Sequence, residues 1–250
     1  MTLSAPVAAL ESVEVAYGGR TVLGPFSLNL AAGEIVALVG PSGCGKSTAL
    51  RLLAGLETPT RGGVVRTTQR GETSVVFQAA TLMPWASALA NVALPLELAG
   101  MAGAASRTAA AAALARVGLG QAVDLKPAQL SGGMAMRASL ARALVTSPRL
   151  LLLDEPFAAL DEITRRKLAD DVLSLSRETR PALVFVTHSV EEAVYMASRV
   201  IVMRTGPGRA AAELNVEAPL PRPPQFRTSA VFRDAAERLA GELETATASS

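Results

Sequence analysis

The chain has 250 residues, half of them apolar, enough for one domain with a sizeable core and room for an inserted subdomain. Its 24 basic and 22 acidic side chains nearly cancel and no Lys/Arg cluster stands out, so charge nominates no nucleic-acid partner. A single cysteine, Cys44, excludes an internal disulfide; residues 1–15 lack a basic leader and a long apolar core, and no later stretch approaches the roughly eighteen apolar residues that cross a bilayer, so a cytosolic chain in a reducing compartment is expected.

In chain order, residues 12–17 and 26–30 read as strands around the turn pair Gly18-Gly19, an antiparallel start, and residues 35–39 as a buried strand. GPSGCGKST follows at residues 40–48 and leads into a helix-compatible run, 48–54. Gly40, Gly43 and Gly45 let backbone N–H groups curl around an anion without Cβ clashes, with Pro41, Ser42 and Cys44 completing the loop. Strand before and helix after place the anion at a helix N-terminus, the arrangement that cradles a nucleotide's phosphates. Lys46 would reach the β and γ phosphates as a point charge and the Ser47 hydroxyl would ligate Mg²⁺, while Thr48 is expected to cap the helix and touch the α-phosphate. Cys44 reads as a small space-filler.

Short strands continue at residues 64–66 and 74–77, and then the texture turns alanine-rich and helical from 88 to 119, fitting an inserted helical subdomain over about residues 86–146. The run 108–117, nearly all alanine, also fits a low-complexity linker. LSGGM at residues 130–134 reads, by itself, as a helix cap formed by Ser131, Gly132 and Gly133. Strands at 150–153, 182–187 and 200–203 alternate with helical segments at 161–177 and 190–197, which argues for a parallel sheet covered by helices.

At the end of the strand 150–153 stand Asp154 and Glu155. Asp154 would hold Mg²⁺ through water and Glu155 would orient or deprotonate the water that attacks the γ-phosphate; a merely solvated acidic pair is the alternative. His188, the only histidine, follows the strand 182–187 and can hydrogen-bond a γ-phosphate and hold Glu155 in register, or be structural. From residue 206 the chain is Pro-rich and then helical at 230–243, with Val231, Phe232, Ala235 and Leu239 spaced to pack on the core or on a dimer partner.

Spread from Tyr17 to His188, these ordered motifs resemble those of the ATP-binding subunit of ABC transporters. The resemblance implies an α/β fold: a P-loop NTPase core with a parallel sheet, an N-terminal antiparallel β subdomain and an inserted α-helical subdomain, over residues 5–205, with a short C-terminal extension at 206–250. It implies ATP and Mg²⁺, with Lys46, Glu155 and His188 catalytic, Tyr17 stacking on adenine, and Gln78 in VVFQ contacting Mg²⁺ and sensing the transport partner. Asp161 in ALD would communicate across a dimer, and its place also suits a helix N-cap. Two chains would sandwich two ATP molecules, Ser131 and the backbone of Gly132 and Gly133 facing the γ-phosphate on the opposite subunit. The chain departs from the usual pattern at Met134, Ala135 and Met136, where glutamines are common before Arg137, which would weaken contacts to the ribose, and at Ala158, where serine or glycine is common. None of these touches Lys46, Asp154, Glu155 or His188, so hydrolysis is expected.

No membrane helices are fused to the chain and too few residues follow Met203 for the long C-terminal β domain of sugar-type importers, which leaves a minimal importer subunit. The stretches ATLMPWASALANV (80–92), RTGPGR (204–209) and PLPRP (219–223) resemble the nitrate/sulfonate/taurine group. Met83 and Trp85 would then anchor a helix of a membrane permease subunit, although Trp85 also suits a core position. The implied setting is peripheral, at the cytoplasmic face of the cell membrane, with a solute-binding protein acting indirectly. Relatives in DNA repair carry long coiled coils or zinc inserts, and neither heptads nor a cysteine cluster occurs here; a non-transport assembly remains the alternative. The transported solute is chosen by other polypeptides.

Overall fold

A computed structural model describes residues 5–158 and 160–248, with the Glu178 side chain left out. Ala159 of ALD and the first four residues of the expected leaderless N-terminus lie outside the described residues. The strands β1 (Ala8–Tyr17) and β2 (Arg20–Leu30) form a hairpin whose two turn residues, Gly18 and Gly19, both have positive φ, as a tight two-residue turn requires. β3 (Ile35–Val39) leaves this hairpin for a second sheet, and α1 (Lys46–Ala54) follows. β4 (Arg61–Arg66) completes an antiparallel sheet of order β2-β1-β4.

The second sheet is built from β5 (Thr73–Val76), β6 (Leu150–Asp154), β7 (Ala182–Thr187), β3, β8 (Arg199–Arg204) and β9 (Arg209–Asn215), in the order β5-β6-β7-β3-β8-β9. Every pairing is parallel except β8 with β9. β3 and β7 are buried along their whole length, which explains why they read as unbroken apolar runs: layers cover both faces. Alternation sorts the faces. Val36 and Leu38 join Leu50, Leu52 and Leu53 of α1 and the inner residues of the antiparallel sheet, whereas Ala37 and Val39 join the opposite cluster, with Leu168, Val172, Phe232 and Leu239.

A third apolar cluster gathers α2 (Ala88–Leu98), α3 (Gly103–Arg116) and α4 (Gly132–Leu144) around Val92, Leu114, Leu119 and Ala138. The alanine run is therefore helix, not linker, as its propensity favours. The expected continuous helical stretch is interrupted between α2 and α3, where Gly100 has φ 88°. α5 (Glu162–Thr179) and α6 (Val190–Met196) cover the sheet's other face, and α7 (Ala230–Ala248) docks beside them through Phe232, Leu239 and Ala246, two turns apart each time, while Val231 faces outward.

Two strands differ from the reading of the sequence. β5 belongs to the parallel sheet, beside β6, rather than to the antiparallel start. The segment after residue 205, read as irregular until its final helix, supplies β9. The Pro-rich stretch then returns over α6. Arg222, buried there, donates to five backbone carbonyls, those of Val194, Tyr195, Ala197, Val216 and Ala218, and the Tyr195 hydroxyl donates back to the Arg222 carbonyl. A cation at the carboxyl end of α6 matches the helix dipole; burial nevertheless pulls the guanidinium down to about 10.

Candidate active site

β3 ends at Val39 and the chain turns through Gly40 (φ 153°), Gly43 (φ 79°) and Gly45 (φ 89°). A side chain at Gly40 would collide with the Met203 carbonyl, so the close packing of this loop on β8 requires glycine. Gly45 is the N-cap of α1 and makes no side-chain bond, leaving the first-turn N–H groups without an intrahelical acceptor. This corrects the expected capping role of Thr48: the helix already begins at Lys46, and Thr48 lies buried inside it. The Lys46 ammonium, on a side chain only 5 % exposed, turns back onto the loop and donates to the carbonyls of Gly40 (2.8 Å) and Pro41 (2.9 Å). Cys44 is fully buried in the core, and burial pushes its thiol above the ordinary range, so it fills space rather than reacts. Ser42 and Gly43 form the exposed tip.

Because β6 and β7 are neighbours and β3 is the next strand, their carboxyl ends meet at this loop. The Ser47 hydroxyl donates to Asp154 Oδ1 at 2.8 Å, and burial raises the Asp154 carboxyl against the opposing effect of that bond. Two hard oxygens brought to one point suit a magnesium ion that keeps most of its shell as water or phosphate. Among the described residues no group of three His, Cys, Asp or Glu could hold a metal. Glu155 sits at φ 47°, a left-handed conformation that costs a non-glycine residue about 1–2 kcal/mol. Its Oε1 lies 2.7 Å from Nε2 of His188, which is one residue past β7. With the carboxylate ionised, Nε2 carries the shared proton.

Of the other expected residues, Gln78 is exposed two positions beyond β5, at the same carboxyl edge of the sheet. Tyr17 ends β1, and its hydroxyl donates to Glu57, just beyond α1, at 2.8 Å. Asp161 caps α5, accepting from the Thr164 N–H at 3.0 Å. Ser131 caps α4, accepting from the Met134 N–H at 3.3 Å; Ser131 and Gly132 are exposed at the surface of the helical layer, and Gly133 packs towards Leu160 and Thr164. Lys46, Ser47, Asp154, Glu155 and His188 are thus gathered at the strand ends, whereas Ser131, Gly132 and Gly133 stand on a separate surface.

Sequence reasoning missed the groups that shape the segment after Gln78. Arg142 donates to the carbonyls of Thr81 (2.8 Å) and Ala80 (3.1 Å), and the buried Asn91 amide accepts from the Met83 N–H (2.7 Å) and donates to the Met83, Ala86 and Ser87 carbonyls. So pinned, the loop presents Trp85 72 % exposed, which rules out the core-filling alternative. The one legible signal was a polar Asn91 inside an otherwise apolar helical face.

A glycine-lined phosphate loop at a helix N-terminus, with a carboxylate pair and a histidine on adjoining strand ends, defines a nucleoside triphosphatase-type site on a parallel α/β sheet. Residues 23–158 match the ABC transporter family. The chain is similar to an ATP-binding protein of Brucella abortus (42 % identity over 232 residues, 91 % of this chain and 89 % of the relative). It is also similar to the aliphatic sulfonates import ATP-binding protein SsuB of Granulibacter bethesdensis (47 % over 219 residues, 88 % of each). A dimeric post-hydrolysis structure of the ATP-binding cassette MJ0796, bound to ADP and Pi, superposes with a TM-score of 0.74 at 31 % identity, covering 84 % of this chain and 99 % of that one. The chain belongs to the ABC transporter family.

Proposed function

We propose that the chain is the ATP-hydrolysing subunit that energises import of an aliphatic sulfonate or a similar small organic anion. The observation that carries this reading is the 2.7 Å Glu155–His188 pair standing beside the phosphate loop and the Ser47–Asp154 contact. Relatives named as sulfonate import ATP-binding proteins, at 47 % identity over most of the chain, support the cargo. Among the described residues no helix is long and apolar enough to cross a membrane, so the solute's path would be supplied by permease subunits, with this chain docked peripherally through the loop that carries Trp85.

In this reading the N–H groups of the loop hold the phosphates and Lys46 exchanges the Gly40 and Pro41 carbonyls for β- and γ-phosphate oxygens. Ser47, Asp154 and Gln78 would hold magnesium, which when bound neutralises phosphate charge. Glu155 takes the proton of the attacking water, and His188, donating from Nε2, keeps that carboxylate aimed. Tyr17 receives the adenine. A second copy places Ser131 and the N–H groups of Gly132 and Gly133 on the γ-phosphate, so ATP closes the dimer, with Asp161 at the seam, and hydrolysis lets it open. The test is ATP-dependent solute uptake in vesicles carrying the cognate permease and binding protein. Sulfonate uptake abolished by Glu155→Gln is expected; ATPase activity without complex formation or uptake of any solute would shift the reading to a non-transport assembly.

A further inference from the structure

The turn that carries His188 is held by groups to which the hydrolytic reading gives no task. Thr187, the last residue of β7 and 4 % exposed, donates its hydroxyl to a carboxylate oxygen of Glu192 and accepts from the Ser189 N–H at 3.0 Å. The Ser189 hydroxyl in turn accepts from the Glu192 N–H at 3.2 Å, which caps α6. Glu192 is 8 % exposed, and its other oxygen, Oε1, lies 3.5 Å from Nε of Arg165 on α5. Arg165 Nη2 donates at 3.1 Å to the carbonyl of Leu160, the residue before Asp161. A cavity of about 290 Å³ has Glu155, His188, Thr187, Glu192 and Arg165 in its walls, so this chain of contacts borders the Glu155–His188 pair itself.

A carboxylate buried to this degree costs several kcal/mol unless paired, and a Ser189 cap would serve α6 without it. Burial raises the Glu192 carboxyl, and the Thr187 hydroxyl and Arg165 oppose that rise. Its side-chain partners lie on a strand (Thr187) and on a second helix (Arg165), and Arg165 itself reaches on to the Leu160 carbonyl, parts of the chain that no helix cap needs to connect.

We propose that Glu192, hydrogen-bonded by Thr187 and facing Arg165 in an ion pair, is a positioning residue for hydrolysis: it fixes the His188 turn against Glu155 and ties that turn, through Arg165, to the segment at Leu160 and Asp161. The proposal rests on Glu155 and His188 being the hydrolytic pair. Contact of a second copy at Asp161 is thereby transmitted through Arg165 and Glu192 to His188.

Steady-state ATP hydrolysis by the full-length chain tests it. Thr187→Val, which keeps the side chain's shape and removes its hydroxyl, and Glu192→Gln should each lower kcat by roughly tenfold to a hundredfold, the range expected for a small misplacement of a catalytic group. KM for ATP should stay near that of the parent; the melting temperature of Thr187→Val should fall with the loss of a bond to the buried carboxylate, the protein remaining folded at the assay temperature, and Thr187→Ser, which restores the hydroxyl, should recover kcat. Since the residues act as one unit, the double variant should be no slower than the slower single. Parent-like kcat in Thr187→Val, losses that multiply in the double variant, or a fall in kcat that merely tracks loss of folded protein would overturn the proposal. Glu155→Gln separates the two levels: if it hydrolyses ATP like the parent, the hydrolytic pair is misassigned, whereas an inactive Glu155→Gln beside fully active Thr187 and Glu192 variants removes the positioning role alone.

Discussion

Among the helix N-termini that carry glycines, those of α1 and α4 are finished differently. At α1 two of the three loop glycines are crowded: the Met203 carbonyl stands against Gly40, and a side chain on Gly45 would come within 3.0 Å of Leu23, while Gly43 at the tip is open. At α4 the two glycines divide: a side chain on Gly133 would meet Thr164 at 3.0 Å, whereas Gly132 stands open. Gly132 has neither a positive φ nor any atom within 4 Å of where a side chain would begin, and the Ser131 cap beside it faces outward. Glycine in a helix costs up to about 1 kcal/mol against alanine, and nothing packed around Gly132 requires it; in the proposed function the requirement comes from a second copy.

The sharpest break in that comparison is chemical. Glu155→Gln should cut ATP turnover by about 10²–10⁴-fold while leaving ATP binding intact, since in the proposed function the carboxylate acts on the attacking water and not on the phosphate loop; turnover and equilibrium nucleotide binding measured side by side check this. Next come the glycines. Gly40→Ala should destabilise the fold by about 2 kcal/mol or more, through positive φ and the collision with Met203, read from urea unfolding. Gly132→Ala should leave stability unchanged or raise it by about 0.5–1 kcal/mol, yet weaken ATP-dependent dimerisation in a Glu155→Gln background. Equal destabilisation of both would erase the distinction.

A smaller effect is expected at the cap. Ser131→Ala should cost about 1 kcal/mol of stability and leave the nucleotide affinity of a single subunit unaltered, while scattering measurements show fewer dimers. The smallest sharpens the contrast with α5, whose N-cap is ionised: hydrogen bonds from Thr164 hold the Asp161 carboxyl below its ordinary range. A depressed folded-state value means the contribution is complete above the unfolded pKa and is lost as pH falls through the lower, folded one. Asp161→Asn should therefore flatten the acid side of the stability curve, below about pH 4, without moving its neutral part.

What the sequence disclosed was local. The phosphate loop, the buried strands β3, β6 and β7, and the strand-end positions of Asp154, Glu155 and His188 follow from spacing within short windows. Thr48 was misread as a cap because a left-handed Gly45 can begin a helix where no side chain signals it. β9 escaped notice since its central residues, AAAEL, lack β-branched and aromatic side chains; its strand state comes from pairing with β8, a tertiary cause. Trp85 reads as a docking anchor with a core position as the alternative, and the bonds from Asn91 on α2 and Arg142 on α4 that pin its loop are tertiary. Arg165 and Glu192 carry no signal in the sequence, because the contact that gives them meaning joins two helices across the fold.

The Arg222 clasp has a practical side. The carboxyl end of α6, seven residues beyond the Ser189 cap, is finished not by its own sequence but by a guanidinium arriving from the tail. Ending the polypeptide shortly after β9 would strip those carbonyls of their donor and loosen the helix that begins beside His188. The stretch that follows β9 is therefore a poor place to cut, since the residue it supplies holds one end of a short helix whose other end adjoins His188.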